Sequence, residues 1–252
     1  VTDQLHTELP AALRRALDLL IDPPANPDIS KGYLDLLTDD LATGTEPPKN
    51  TGAIQALWAS GIGSMLYDNA QALARRLASV WRLPVDWLNI PPGGVALDVG
   101  SGPGNVTAQL ADAAGPDGLA LGIDISEPML ARAVEAQVAQ NLGFLRADAQ
   151  RLPLRDETVD AATSLAVLQL IPNPAQTLAE IVRVLKPGGR VAIMVPTAGN
   201  IGPLFRLLPL PLDGGANFFA EDELADILED LGLVGVRTKT AGTFQWVRAR
   251  RP

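Results

Sequence analysis

Apolar residues recur with two different periods along this chain, and the period changes near residue 90. Before that point the spacing is helical and broken by proline and glycine. Leu9, Leu13, Leu17 and Leu20 form a stripe that Asp22-Pro23-Pro24 ends, and a second helix is predicted over residues 33–41. Residues 43–48 read as a loop, and after Gly61-Ile62-Gly63 the positions Leu66, Ala70, Leu73, Leu77 and Trp81 share one helix face up to Pro84. No strand signal is visible in this region, so it must pack on the part of the chain that has one. Residues 1–90 are therefore expected to form an N-terminal helical cap.

From residue 91 onward short strand patterns alternate with helix patterns, which argues for an α/β chain with a parallel sheet covered on both faces. Strands are predicted at 95–99, 119–123, 144–147, 161–166 and 190–195. Between them, Ser126-Glu127-Pro128 opens a helix with Leu130, Val134 and Val138 on one side, and a helix through Leu178, Ile181, Val182 and Leu185 stops at Lys186-Pro187-Gly188-Gly189. A last helix carries Leu224, Ile227, Leu228 and Leu231, and residues 233–238 and 243–248 can pair as antiparallel strands. Residues 196–217 differ: they are apolar and broken by prolines, with no regular helix pattern.

One stretch of this pattern carries candidate chemistry. The strand Val95-Ala96-Leu97-Asp98-Val99 runs straight into the turn Gly100-Ser101-Gly102-Pro103-Gly104 and then into a helix on which Val106, Leu110 and Ala114 recur. The glycines admit positive φ and let a ligand approach the main chain, and the helix presents unpaired N–H groups. A dinucleotide fingerprint needs Gly-x-Gly-x-x-Gly, whereas here the third glycine comes early and Asn105 stands in its place. Without Gly-Lys-Ser/Thr a nucleoside-triphosphate P-loop is excluded. Asp98 would repel a pyrophosphate but suits a zwitterion bearing an ammonium group. Two more acids end strands: Asp124, about twenty residues past the turn, where an acid accepts ribose hydroxyls, and Asp148.

Composition narrows the partners. With 29 acidic against 20 basic residues and a formal charge of −9, a nucleic-acid partner is not expected. The absence of cysteine removes disulfides, thiolate metal sites and a cysteine nucleophile, and no metal is expected. No apolar run is long enough to span a bilayer. Asp3, Glu8, Arg14, Arg15 and Asp18 break any signal-peptide pattern, so a cytoplasmic chain is expected.

Four segments, Asp98-Val-Gly-Ser-Gly-Pro-Gly, Gly122-Ile-Asp-Ile-Ser-Glu-Pro-Met-Leu, Arg146-Ala-Asp-Ala and Leu185-Lys-Pro-Gly-Gly-Arg, resemble in order and spacing the successive motifs of the class I S-adenosylmethionine-dependent methyltransferases, in their UbiE-like group. The likeness covers roughly residues 91–195 and, more weakly, the last helix and hairpin. It implies a Rossmann-like, doubly wound, mostly parallel seven-stranded sheet with an antiparallel last strand over residues 91–252, within which the apolar, proline-broken residues 196–217 read by their own composition as a lid-like insertion. It also implies S-adenosyl-L-methionine as cofactor and in-line methyl transfer to a small, mostly apolar acceptor that is quinone-, phenol- or lipid-like. The cofactor contacts it implies are Asp98, Gly100, Ser101, Gly102 and Gly104 in the turn, Asp124 and Ile125 at the ribose, Asp148 and Ala149 at adenine, Leu165, and Tyr67 over the methionine end. Helix capping is the alternative for Asp124 and Asp148, and ordinary packing for Tyr67.

Many relatives carry histidines after the fourth strand, but this chain reads Val167-Leu168-Gln169-Leu170-Ile171-Pro172. Gln169 cannot act as a base near neutral pH, so a histidine-dependent step does not carry over. Gln169, Phe205 and Leu208 are candidates for the acceptor side, the last two on a segment that reads equally as core filler or as a lid. His6, the only histidine, reads as a solvated terminal residue, and Trp58, Trp81 and Trp87 as core. A nicotinamide-dependent oxidoreductase would share the strand-turn-helix and the ribose acid. A non-catalytic S-adenosylmethionine-binding protein would share every binding motif.

Overall fold

Strands built from Val, Leu, Ile and Ala without polar alternation demand cover on both faces. The computed structural model describes residues 9–37, 85–197, 219–242 and 244–252. In chain order these residues form α1 (Ala11–Leu17), β1 (Leu34–Asp35), α2 (Val85–Leu88), β2 (Val95–Val99), α3 (Asn105–Ala114), β3 (Leu119–Asp124), α4 (Glu127–Ala136), β4 (Leu142–Arg146) and β5 (Val159–Leu165). A short 3-10 turn (Leu168–Leu170), α5 (Pro174–Val184), β6 (Leu185–Pro196), α6 (Glu223–Asp230), β7 (Val234–Ala241) and β8 (Phe244–Arg250) follow. The strands make one eight-stranded sheet in the order β1-β4-β3-β2-β5-β6-β8-β7. Neighbours from β1 to β6 run parallel, and β8 runs antiparallel to both β6 and β7. The chain leaves β2 toward β3 and β4 on one side and returns to β5 on the other, which makes the carboxyl end of β2 the switch point.

The eighth strand is a correction. A helix was expected over residues 33–41, of which 38–41 lie outside the described residues, yet Leu34 and Asp35 pair in parallel with Leu145 and Arg146 at the sheet edge. Two residues carry no periodicity that a sequence reader can detect; the β4 edge recruits them. The helix α1 also belongs to the sheet's own core, where Leu13 and Ala12 sit over Gly143, and the predicted stripe Leu9, Leu13, Leu17 and Leu20 is buried. In α4 the helix ends at Ala136, so Val138 leaves the expected face and is 92% exposed. Ser126 sits at the N-cap of that helix without a side-chain cap bond.

Register assigns side chains to faces. One face carries Leu97, Leu121 and Ala162 in a row under α1, α5 and α6; the other carries Ala120, Ala96 and Ala161, a row small enough for α3 to lie close. One step toward the carboxyl end of that second face, the row reads Gly122, Asp98, Thr163. A carboxylate therefore occupies the middle of the sheet.

Beyond β6 the same face turns basic. Arg250 lies opposite Arg190, and Arg248 opposite Arg237, while Trp87 of α2 has the guanidinium carbons of Arg190 and Arg248 at 5.3 and 5.1 Å from its ring centre. Residues 231–252 hold five basic residues and no acidic one, a local balance opposite to that of the whole chain. On an exposed edge strand such charges oppose pairing with another sheet.

Candidate functional site

The turn after β2 is built by backbone hydrogen bonds. The N–H groups of Gly100 and Ser101 both donate to the Ile123 carbonyl, at 2.8 and 3.0 Å, and Gly104 N–H donates to the Ser101 carbonyl at 3.0 Å. Gly102 N–H donates to Oδ2 of Asp124 at 2.8 Å. Pro103 has no N–H, so every amide of residues 100–104 has a protein acceptor. The amides of the turn itself are therefore not open to a ligand, which leaves a pyrophosphate fewer donors there.

All three glycines take positive φ, at 76°, 51° and 78°. At Gly100 and Gly104 the space of a side chain is filled by the protein itself. A Cβ on Gly100 would lie 2.3 Å from Cγ2 of Val167, and one on Gly104 would lie 2.6 Å from Cζ of Phe144. Val167 reaches that place because Ala166, the first residue after β5, is held in the left-handed region at φ 56°. A non-glycine residue there stores about 1–3 kcal/mol of strain, and such strain clusters at working sites. Nothing in the identity of Ala166 signals it.

Asp98 is 2% exposed. Thr107, from the first turn of α3, donates to its Oδ2 at 2.7 Å, and Thr163 of β5 donates to its Oδ1 at 3.0 Å. Burial pushes the carboxyl up to about 6; the two threonine hydroxyls oppose that rise and the nearby charge of Asp124 adds to it. Asp124 ends β3, partly exposed, with Oδ1 accepting from Ser126 N–H and Oδ2 from Gly102 N–H, both at 2.8 Å. Burial pushes its carboxyl up, against the pull of the backbone donors Ser126, Gly102 and Ile125. Each oxygen keeps a second lone pair for a hydroxyl donor. The same geometry makes Asp124 the first anchor of the α4 entry, so the capping and binding readings coexist.

Asp148 follows β4 and accepts from Gln150 N–H at 2.9 Å, which caps a turn and not a helix. Ala149 packs partly buried against the main core. Ala147 N–H donates to the Asp124 carbonyl at 3.3 Å, which joins the two acidic loops. Leu165 ends β5, partly buried, and Gln169 lies in the 3-10 turn beyond it. The Gln169 amide donates to the Ala166 carbonyl at 2.7 Å, while its buried Oε1 has no partner among the described residues. Ser101 Oγ, also buried, has no partner either. The structure thus brings Asp98, Gly100, Ser101, Gly102, Gly104, Asp124, Ile125, Asp148 and Ala149 to adjoining strand ends, with Leu165 and Gln169 across Val167. Tyr67, Phe205, Leu208, His6, Trp58 and Trp81 lie outside the described residues. Thr107, Thr163, Val167 and Arg146 were not singled out in the sequence, because their roles depend on which strands adjoin. Among the described residues no group of acids and histidines could hold a metal.

Residues 97–193 match the family described as a methyltransferase domain. Demethylmenaquinone methyltransferase of Bacillus cytotoxicus is 32% identical over 177 residues, 60% of this chain and 75% of that protein. The ubiquinone/menaquinone biosynthesis C-methyltransferase UbiE of Ectopseudomonas mendocina is 33% identical over 127 residues, 48% of this chain and 50% of that protein. Several other matches also span half or less of the relative's length. Among solved structures, a SAM-dependent methyltransferase from Aquifex aeolicus superposes with a TM-score of 0.55 at 27% identity, over 67% of this chain and 87% of that one. The chain belongs to the class I S-adenosylmethionine-dependent methyltransferases, in their UbiE-like group.

Proposed function

We propose that this chain transfers a methyl group from S-adenosylmethionine to a small, mostly apolar acceptor of quinone, phenol or lipid type. The observation that supports it best is the closed amide account of the glycine turn beside two carboxylates. Within the turn itself a pyrophosphate would meet no free amide and would face two acids, which disfavours a nicotinamide cofactor. An adenosyl zwitterion asks instead for a hydroxyl acceptor and a negative field, and Asp124 and Asp98 provide them. Ser101 Oγ, buried without a partner, is a ready donor or acceptor at the same turn. At Gly122 a Cβ would lie 2.7 Å from Phe144 and 2.8 Å from Ser101, so this position tolerates no side chain without displacing the wall.

S-adenosylmethionine, when bound, supplies a methyl group already activated on a sulfonium. The protein's residues have then to bind, orient and keep water out. Asp124 fixes the ribose end through its free lone pairs, Asp148 and Ala149 border the adenine end, and the strained Ala166-Val167 corner packs against Gly100. Gln169, Phe205 and Leu208 are the proposed contacts of the acceptor. A quinone-like acceptor agrees with the names of the relatives at 32–33% identity. An acceptor screen with methyl-labelled S-adenosylmethionine tests the reading: labelled product is expected from an apolar ring substrate. Tight cofactor binding with no product from any acceptor class would favour a non-catalytic binding protein.

A further inference from the structure

Arg146, the last residue of β4, lies opposite Asp124 in the β3–β4 register and two residues before Asp148. Its Nε donates to the carbonyl of Ile125 at 3.3 Å. One terminal nitrogen lies 3.1 Å from Oδ2 of Asp35 and 3.0 Å from Oε1 of Glu127. Asp35, in β1, has a side chain 2% exposed and accepts a second bond from Leu37 N–H at 3.2 Å. Its own N–H donates to the Asp28 carbonyl at 3.0 Å, and Leu36 N–H donates to the Arg146 carbonyl at 3.1 Å. Glu127, which opens α4, pairs in turn with Lys31 at 2.7 Å. Two cations and two anions thus join the segment 28–37, the entry of α4 and the end of β4 to the peptide that follows Asp124.

We propose that Arg146, held by Asp35 and Glu127, is the positioning residue of the adenosine half of the cofactor site, and that residues 28–37 are part of that site. The proposal rests on the cofactor reading above. The Ile125 carbonyl and the Ser126 N–H belong to consecutive residues, and Ser126 N–H sets the Asp124 carboxylate. Fixing one end of that short path fixes the other. Neutralisation matters as much as reach. With Asp35 and Glu127 in place the guanidinium has two carboxylate partners of its own, so Asp124 keeps its lone pairs for the ribose. Without Asp35 the guanidinium is free to turn toward Asp124 and compete with the ligand. A lysine at 146 keeps the charge but cannot serve the carboxylates and the carbonyl at once, because a single ammonium lacks the planar fork of arginine.

The test uses the full chain and titration calorimetry with S-adenosylhomocysteine and with 5′-methylthioadenosine, which keeps the adenosine but lacks the amino-acid end. R146K and D35N are expected to raise both Kd values about tenfold and by the same factor, with the far-ultraviolet spectrum unchanged. Losing a buried partner threatens folding in R146M, so R146K carries the result. An R146K/D124N double variant should lose little more than D124N alone, since both changes act on one contact. Folded R146K and D35N that bind both ligands within twofold of wild type would overturn the proposal. Loss confined to S-adenosylhomocysteine would overturn it as well. A wild-type protein that binds neither ligand would instead overturn the cofactor reading itself.

Discussion

Replacing Asp98 by Asn should make the protein more stable at neutral pH, although it alters a motif acid. The carboxyl is 2% exposed, and burial raises it from 3.8 to about 6 in the folded chain. A group held higher in the folded state binds protons more readily there, so its contribution to stability falls as pH rises from about 4 to about 6 and is flat above. At about 1.36 kcal/mol per pH unit the full span is on the order of 3 kcal/mol. Asparagine mimics the protonated acid, and the hydroxyls of Thr107 and Thr163 can each turn from donor to acceptor to meet its amide. Relative to wild type, Asp98→Asn should therefore gain roughly 1–2 kcal/mol at pH 5 and about 3 kcal/mol at pH 7.5. Urea unfolding midpoints for both proteins across that range, at fixed ionic strength and without ligand, read the difference. A poor fit of the amide adds a constant offset and leaves the slope intact. A difference independent of pH, or one that shrinks as pH rises, would refute the reasoning.

Four further outcomes are expected. Gly100→Ala should cost about 2–5 kcal/mol, of which 1–2 is the left-handed backbone and the rest the collision with Val167. In a Val167→Ala background the cost should shrink, because the Cγ contacts at 2.3 and 2.4 Å are gone while the Cβ contact at 2.8 Å stays; strictly additive losses in a denaturation cycle would contradict the contact. Asp124→Ala should weaken S-adenosylhomocysteine binding by about 1.5–3 kcal/mol, the scale of a hydrogen bond to a charged group, and unchanged affinity by calorimetry would remove Asp124 from the site. Phe205→Ser with Leu208→Ser should impair transfer while leaving cofactor affinity within a few-fold; full activity would argue against a shielding role. A low-salt gel shift should show no stable nucleic-acid complex despite the basic face of β6, β8 and β7, and tight, salt-sensitive binding would reverse that expectation.

The amino-acid sequence by itself determined the alternating order of β2 to β6, the glycine turn after β2 and the acids at the ends of β3 and β4. Those features are local: strand formers, helix stripes, glycine stops and strand-end polar residues act over a few neighbours, so they are legible in one dimension. Only the tertiary structure decided what depends on which strands adjoin. Leu34 and Asp35 became a strand because β4 offered them an edge. Asp98 became a buried, threonine-bonded acid because register set it between Gly122 and Thr163. The glycines at 100 and 104, expected to make room for a ligand, make room for Val167 and Phe144, whose approach no spacing along the chain encodes. Arg146, read only as a letter of a motif, gained a role once β1 and α4 brought Asp35 and Glu127 to the same guanidinium. Charges separated by many residues find each other through the fold, and the energy that holds them depends on burial that the sequence does not display.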